Sequence, residues 1–418
     1  MTFLWILLLL IFLMSGWSGC SIFDGHHESQ LLKILGGKSP TVDLVLEQAD
    51  KYKVQILYTQ IDRDKENFPS FKTYTYRVNH DKYFYPASTV KFPVALLALE
   101  KLNQLNIKGL DKYTPLSIDS AYSGQTRVTR DSTAPDLLPT IGHYIKKIFL
   151  VSDNDAYNRL YEFLGQEYIN KSLWEKGYHH VKLIRRLELP LSPEENQATN
   201  PFNFFQGDRI IYQQPLVFNT THYTVEMDEI KQGRGYYKNG EFIQEPMEFR
   251  YSNYFAIDTQ QEIMKAVIFP DAIHSKGRFK LKDNDYLFLY RYMAMLPRES
   301  QIEVYQDTSK YYDSYIKFLM FGNSREKIPP QIRIFNKSGQ AYGYLQDNAY
   351  IIDFANKIEF FVAAVIQVNE NQIYNDDTYE YDKVGMPFLA DLGKILYEFE
   401  VNRKRENIPD LARFQVHE

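Results

Sequence analysis

The chain has 418 residues, a formal net charge of −5 and a pI near 6.0. This length allows one large two-part domain or two modest ones, with a sizeable buried core. The balance is slightly acidic and no basic run is interleaved with aromatic residues, so a nucleic-acid partner is not expected. The 33 tyrosines and 28 phenylalanines are compatible with a grooved surface that faces sugar or peptide, although core packing accounts for most of them more simply.

The first 20 residues are predicted to be a targeting segment. Residues 3–14 are an unbroken apolar run, short for a membrane span and typical of a signal peptide. The small residues before Cys20 resemble a bacterial lipobox, so we expect Cys20, the only cysteine, to be lipidated. Because no basic residue precedes the run and Trp17 stands where lipoboxes prefer an aliphatic residue, an uncleaved anchor is the alternative. Both place the body in the cell envelope, facing the periplasm.

Beyond this segment, residues 21–40 are predicted to be a polar tether, and a helix capped by Thr41 is expected over residues 41–52. Strands are expected at 54–59 and 71–78, either side of a charged turn, and the pattern 83–85 predicts the end of another strand. Later elements are predicted as helices 138–151, 156–164, 260–269, 286–296 and 310–321, strands 331–336, 348–354 and 358–368, and a closing helix 388–399.

The order of these elements predicts an α+β fold. Its antiparallel sheet is formed by both chain ends and flanked by terminal helices, and an all-helical subdomain, about 88–325, is inserted between its halves. The whole domain is expected over residues 41–402, followed by a polar tail at 403–418. Residues 202–256 contain a hairpin with an Asn239-Gly240 turn and are predicted to be an added flap that packs near the seam of the two parts.

The stretch 83–103 is the one around which the chain is organised. Pro86 is followed by Ala87 and Ser88, which open a helix whose residues 92–99 are all apolar, so this helix must be buried. Ser88 and Lys91 are three positions apart and share one face of its first turn. A hydroxyl beside an amine at a helix N-terminus can become an activated nucleophile, because the amine takes the hydroxyl proton and the free N–H groups face developing negative charge.

The Ser-x-x-Lys pattern is weak by itself, since the chain contains it three times. We assign no chemistry to the other two. Ser314/Lys317 is predicted to lie in an amphipathic helix, and Ser324/Lys327 in a charged surface loop. Only Ser88 combines a strand end, a proline and a buried helix.

Two further short motifs carry polar groups. Ser152-Asp153-Asn154 follows an apolar helix and offers a hydroxyl and an amide to a ligand, although all three residue types are also good helix caps. Lys337-Ser338-Gly339 ends a strand and suits a carboxylate ligand, although it could be an ordinary strand exit. Taken singly, the first motif is better explained as a helix cap and the second as a strand exit.

The order of the three motifs changes this balance. Ser88-Thr89-Val90-Lys91, Ser152-Asp153-Asn154 and Lys337-Ser338-Gly339 are in the order found in class A β-lactamases and penicillin-binding proteins. From about Thr41 to the last helix, apart from the hairpin insert, the chain resembles the class A β-lactamase-like serine hydrolases.

This resemblance implies a role for each matching position. Ser88 would be the acylated nucleophile, Lys91 its base or proton relay, and Ser152 the donor to the leaving nitrogen. Lys337 and Ser338 would hold a substrate carboxylate and Asn154 a side-chain amide. The backbone N–H groups of Ser88 and Gln340, beside Gly339, would form the oxyanion hole.

The deacylating base is predicted on the loop after residue 184. Glu188 lies 188 − 152 = 36 positions after Ser152 and resembles the glutamate that activates water in class A enzymes. The family's asparagine four places later is replaced by Ser192. Glu194 and Glu195 are the fallback candidates, and a surface carboxylate paired with Arg185 or Arg186 is the structural alternative.

Three functions follow as hypotheses. The first is a serine hydrolase that opens β-lactam amides, and the second a D-Ala-D-Ala peptidase of the penicillin-binding type that deacylates slowly. The third is a non-catalytic envelope lipoprotein that retains the fold. The first two hypotheses imply a small β-lactam or peptidoglycan-peptide-like substrate and no metal or organic cofactor. The lipobox implies membrane contact through the N-terminal lipid, and a monomer is expected.

Overall fold

The computed structural model describes residues 20–415, and it describes side chains from residue 28 onward. The predicted signal peptide and lipobox, up to residue 19, lie outside the described residues. The helices are α1 Cys20–Leu35, α2 Pro40–Glu47, α3 Lys91–Leu105, α4 Ile141–Val151, α5 Asn154–Leu164, α6 Gln166–Glu175, α7 Pro193–Gln197, α8 Ile257–Ile268, α9 Asp283–Ala294 and α10 Met386–Asn402. Over residues 20–415, none of the helices is both long and apolar enough to cross a membrane.

The strands alternate with these helices along the chain. They are β1 Gln55–Arg63, β2 Pro69–Tyr76, β3 Leu116–Ile118, β4 Val181–Lys182, β5 Ala198–Thr199, β6 Phe202–Gln206, β7 Arg209–Gln214, β8 Val217–Phe218, β9 Lys231–Gln232, β10 Gly235–Lys238, β11 Glu241–Ile243, β12 Met247–Glu248, β13 Tyr254–Phe255, β14 Ile332–Ala341, β15 Tyr344–Asp353, β16 Ile358–Gln367 and β17 Ile373–Tyr374.

The main sheet has five antiparallel strands in the order β14-β15-β16-β1-β2. Strands β1 and β2 come from the N-terminal part of the chain and β14 to β16 from the C-terminal part, so both ends build one sheet. The expected α+β fold with an antiparallel sheet formed by both chain ends is therefore confirmed. Strand β14 lies at the sheet edge, where its free side can face a ligand.

Both faces of this sheet are covered. Successive strand residues point to opposite faces, so Phe360 and Val362 of β16 join the cluster that contains residues of α1, α2 and α10. Phe361 faces the other way and packs against Phe269 at the end of α8, with ring centroids 5.8 Å apart. Because both faces are buried, strand β16 is an almost continuous apolar run, whereas β15 is equally buried but carries polar residues in its middle.

The inserted subdomain is built around α3. Residues 92–99 of this helix are fully buried among α4, α5 and α6, as the all-apolar run predicts. The subdomain is not all-helical as expected. It also contains the small sheets β3-β6-β7, β5-β8 and β4-β13. The β3-β6 and β4-β13 pairs join residues that are more than 70 positions apart, and the strands are short, so the sequence gives little sign of them.

The flap predicted at 202–256 has two parts: its ends belong to the inserted subdomain, and its middle contains the predicted hairpin. Strands β6 and β13, at its two ends, pair with β3 and β4 of the subdomain and so belong to it. The predicted hairpin is present as β10 and β11, and its turn residues Asn239 and Gly240 have φ values of 55° and 83°. These left-handed values explain the Asn-Gly sequence.

The predictions of a polar tether at 21–40 and a polar tail at 403–418 are wrong. Leu31 and Leu35 of α1 are fully buried on the main sheet, because their i, i+4 spacing puts them on one face. Ser39, not Thr41, caps α2 by accepting from the backbone N–H groups of Thr41 and Val42. In the predicted tail, Leu411 and Phe414 enter the core.

Two other predicted elements are also wrong. Residues 310–321 form successive turns, although their spacing resembles an amphipathic helix. Residues 83–85 are buried but form no strand in the described part of the chain; only an isolated bridge between Lys82 and Asp228 lies beside them. In both cases tertiary packing overrides the local propensity.

Candidate active site

Ser88 lies where the chain enters the buried helix. A short 3₁₀ turn over Ala87–Val90 leads directly into α3, and Ser88 is half-buried within it. Ala87 has a φ of 47°, in the left-handed region that alanine rarely adopts. Strain of this kind is common at functional sites, where the surrounding structure holds it in place.

Lys91 lies one turn further on and is completely buried. Its ammonium group donates to Asn154 Oδ1 at 2.5 Å, to Ser152 Oγ at 3.2 Å and to the Ser152 carbonyl. Burial lowers its pKa well below the usual 10.5, and the positive charge of Lys337 lowers it further. Among the described residues no hydrogen bond joins Lys91 Nζ to Ser88 Oγ, as is common before substrate binds.

Ser152 is shared by two lysines. It ends α4 with a φ of 57°, and its hydroxyl oxygen accepts from Lys337 Nζ at 2.9 Å as well as from Lys91. A hydroxyl that accepts from two ammonium groups still has its own proton to donate. Asp153 is the residue that caps α5, by accepting from the Ala156 N–H, so Ser152 and Asn154 remain available to the site.

Lys337-Ser338-Gly339 lies within β14, beside Ser88. A Cβ atom on Gly339 would be only 3.0 Å from Ser88 N and 3.1 Å from Pro86 O, so glycine is what lets the two segments approach. Lys337 is fully buried and donates to the Ser338 carbonyl at 2.7 Å. Burial lowers its pKa to about 7, although the Asp347 carboxylate opposes that shift.

A cleft of about 590 Å³ opens in front of Ser88. The predicted residues Ser88, Asn154, Glu188 and Gln340 all line it. The other lining residues are Tyr85, Ala87, Arg185, Leu187, Leu189, Pro190, Ala341, Tyr342, Asn375, Asp377, Tyr379 and Tyr381. The three motifs and the predicted loop therefore meet at one place.

The loop that carries Glu188 is fixed by residues that sequence reasoning did not assign. Arg186 is buried and donates to Glu162 Oε1 at 2.9 Å and to the Ala198 carbonyl at 2.8 Å. Asn158 donates to the Leu187 carbonyl and accepts from the Leu187 N–H. Polar residues at helical spacing along α5 were the only signal of this anchor in the sequence.

Glu188 itself is exposed and has a φ of 57°. The structural alternative, a surface pair with a neighbouring arginine, does not form: Arg186 pairs with Glu162, and Arg185 donates to the carbonyls of Arg186 and Leu189. Across residues 28–415 the Glu188 carboxylate has no hydrogen bond or ion pair of its own.

The fallback carboxylates lie elsewhere. Glu195 forms a capping box with Ser192 and accepts from Ser123 Oγ at 2.7 Å, and these bonds lower its pKa. The Ser192 side chain is therefore engaged in capping the start of α7. Neither Glu194 nor Glu195 lines the cleft with Ser88.

Behind Lys337 lies a buried polar group that sequence reasoning missed. Lys317, predicted to lie in an amphipathic helix, is fully buried and donates to Asn336 Oδ1 at 2.7 Å and to the Ile334 carbonyl at 2.9 Å. Asn336 donates to Asp347 Oδ1 at 2.7 Å. Burial lowers the pKa of Lys317 and raises that of Asp347. The sequence pattern Ser-x-x-Lys drew attention to Lys317, but only the fold shows that the Lys317 side chain supports strand β14.

An antiparallel sheet from both chain ends, an inserted subdomain and a serine near a buried lysine at the seam make up the β-lactamase and transpeptidase fold. Residues 40–214 match the family model described as the beta-lactamase enzyme family. The resemblance inferred from the motifs is thereby confirmed over that part of the chain. No curated protein sequence matches.

Solved β-lactamase structures are similar in outline. An ancestral class A β-lactamase has 14% sequence identity and a TM-score of 0.48, covering 89% of this chain and 99% of its own. The β-lactamase from Streptomyces albus G has 12% identity and a TM-score of 0.47, with 90% and 99% covered. A class A β-lactamase from Clostridium kluyveri has 15% identity and a TM-score of 0.45, again with 90% and 99% covered.

Proposed function

We propose that the protein is a serine hydrolase that opens β-lactam amides through an acyl-Ser88 intermediate. The observation that supports this most directly is the buried Lys91, whose pKa is lowered by burial and which lies one turn from Ser88 and bonds to Ser152. A lowered pKa favours the neutral amine, and a neutral lysine can accept a proton.

In the acylation step, Ser88 Oγ bonds to the amide carbon as its proton passes to neutral Lys91. The N–H groups of Ser88 and Gln340 stabilise the oxyanion. The carbon–nitrogen bond then breaks, and the leaving nitrogen takes the Ser152 proton, which Lys91 replaces with the proton that it took from Ser88. Lys337 and Ser338 hold the substrate carboxylate, and Asn154 its side-chain amide.

In the deacylation step, Glu188 takes a proton from water, and the hydroxide attacks the ester carbon. The Ser88–carbon bond then breaks, and Ser88 Oγ receives the proton that Glu188 took from the water. Glu188 lines the cleft with Ser88, and its carboxylate is not committed to another described residue, which supports this role.

The second candidate is a penicillin-binding-type peptidase that deacylates slowly. The position of Ser192 favours it. The Ser192 side chain hydrogen-bonds within the capping box with Glu195, and it does not line the cleft. A hydrolytic water would then lack the second partner that the family's asparagine supplies.

The test is to mix purified protein with a fluorescent penicillin and follow both the intact mass and the remaining drug. We expect a covalent adduct in wild type, none in Ser88→Ala, and a normal adduct in Ser324→Ala, which removes the serine of another Ser-x-x-Lys pattern. Continuous hydrolysis would support the β-lactamase, and a long-lived adduct the peptidase. If wild-type protein gives no adduct and no hydrolysis, both enzyme functions are refuted, and the non-catalytic lipoprotein is the hypothesis that is left.

We also propose that Cys20 carries lipid and holds the protein in the cell envelope, facing the periplasm. The support is the sequence alone: a sole cysteine after an apolar run closed by small residues.

A further inference from the structure

The wall of the cleft beyond Gln340 is built from tyrosines. Tyr342 and Tyr85 stack edge to face with centroids 4.8 Å apart, and Tyr379 and Tyr381 stand 5.3 Å apart. Tyr342 has a φ of 55°, which is rare for a bulky residue. The Tyr381 hydroxyl accepts from the Gly343 N–H at 2.8 Å and so holds this turn.

The same wall carries uncompensated negative charge. The charged residues that line the cleft are Glu188, Asp377 and Arg185. Arg185 directs its N–H groups to two backbone carbonyls of its own loop. Asp377 is exposed, and within residues 28–415 its carboxylate has no hydrogen bond or ion pair.

The inserted hairpin holds Asp377 in place. Strand β10 pairs in parallel with β17, and the Arg234 N–H and side chain donate to the carbonyls of Gln372 and Asn371. The Asn375 side chain donates to the Tyr237 carbonyl at 3.1 Å. The segment just before Asp377 is therefore attached to the hairpin, which gives this insert a function beside the cleft.

Strand β14 gives the direction of a bound substrate. Gly339, in its middle, touches Ser88; Lys337 precedes it, and Ala341 and the tyrosine wall follow. Lys337 and Ala341 are about 13 Å apart along an extended strand. If Lys337 holds the carboxylate of the substrate, the group at the tyrosine wall is the side group on the acyl part.

We propose that Asp377 and the tyrosines 85 and 342 form a subsite for an acyl side group that carries both an aromatic ring and an ammonium group. This inference rests on the proposed function. The carboxylate supplies an ion pair, and the ring faces supply stacking and cation–π contact. Asp377 is then a specificity-determining residue supported by the inserted hairpin.

The test uses ampicillin and benzylpenicillin, which differ only by an ammonium group on the acyl side chain. The second-order rate constant for acylation of Ser88 is measured for both, and their ratio is compared between wild type and Asp377→Asn. Asparagine tolerates the left-handed φ of 55° at this position, so the variant keeps its backbone. The matched control is Asp208→Asn, which also removes one negative charge, from an exposed residue on the turn between β6 and β7.

We expect Asp377→Asn to lower the ampicillin-to-benzylpenicillin ratio about threefold to fivefold, as loss of one partly exposed ion pair predicts. The ratio should be unchanged in Asp208→Asn, and high salt should reduce it in wild type. If both drugs acylate Ser88 and the ratio is the same in Asp377→Asn as in wild type, the subsite is refuted while the proposed function stands. If neither drug acylates wild-type protein, the proposed function fails, and this inference fails with it.

Discussion

At the scale of single residues, one hydroxyl joins the two lysines of the site. Ser152 Oγ accepts hydrogen bonds from Lys91 and Lys337, and burial lowers the pKa of each of these lysines. In the proposed mechanism the two lysines need opposite charge states, because Lys91 is neutral when it acts as a base and Lys337 is charged when it holds a carboxylate. Mutual repulsion favours one charge between them, and Asp347 favours placing it on Lys337.

In the proposed mechanism, Glu188 acts in deacylation and not in acylation. Glu188→Gln keeps the shape of the side chain and removes the base, so Ser88 should still be acylated while hydrolysis of the adduct slows about 10²–10⁴-fold. Stopped-flow turnover and intact mass of the trapped adduct measure the two steps.

Glu194→Gln is the matched control for this change, since Glu194 is exposed outside the cleft and its loss should do little. Turnover of Glu188→Gln within a few-fold of wild type would remove Glu188 from the mechanism. Loss of acylation itself would mean that Glu188 serves the first step too.

The state of Lys337 predicts a pH dependence. A lysine is a cation below its pKa and neutral above it, so with a pKa of about 7 Lys337 loses its charge as the pH rises through that value. The second-order acylation rate with benzylpenicillin should fall above about pH 7. Lys337→Arg, which stays charged, should be slower but should lack this fall. A wild-type profile that is flat from pH 6 to 9 would contradict the prediction.

At the scale of elements, the last described segment is part of the core. Phe414 is fully buried, and its ring centroid is 5.1 Å from that of Tyr350 and 5.3 Å from that of Tyr290. Arg413 beside it donates to the Tyr290 hydroxyl at 3.0 Å. The segment thus joins β15 to α9, and a single aromatic residue fixes a region that is otherwise polar.

Phe414→Ala should lower the free energy of unfolding by about 3–5 kcal/mol, because it removes a buried ring and leaves a cavity. Urea unfolding of the purified protein measures this. Ile408→Ala, at a side chain that is 75% exposed, should change the free energy by less than about 0.5 kcal/mol. A loss below about 1 kcal/mol for Phe414→Ala would show that the segment docks only weakly.

At the scale of the whole molecule, helices α1 and α10, from opposite parts of the chain, pack together on one face of the main sheet. Helix α1 packs on β2 and α10, so the point from which an N-terminal lipid would extend is fixed to the body of the protein. A lipid on Cys20 would then hold the fold close to the membrane surface, because no long polar linker separates them.

Cys20→Ala should release the protein from the membrane fraction, since it removes the only thiol that could be acylated. Fractionation of cells and mass spectrometry of the N-terminal peptide measure this, with Ser21→Ala as the matched control. Finding an unmodified peptide that begins at Met1 on the mature protein would support the uncleaved anchor instead.

Some features followed from the sequence by itself. The all-apolar run after Lys91 could only be a buried helix, and Asn239-Gly240 between short strands could only be a tight hairpin turn. These are local properties: periodicity, burial and backbone preference act within a few residues, so the sequence predicts them directly. The three motifs in family order then predicted which residues would meet.

Other features depended on contacts between distant parts of the chain. The predicted tether and tail look polar in the sequence, and residues 310–321 look amphipathic, but a few side chains in each segment are buried against other elements of the fold. The tyrosine and Asp377 wall likewise exists only because β10 pairs with β17 and the β14–β15 turn packs beside them. Local sequence does not encode such pairings, because their free energy comes from surfaces that the fold alone brings together.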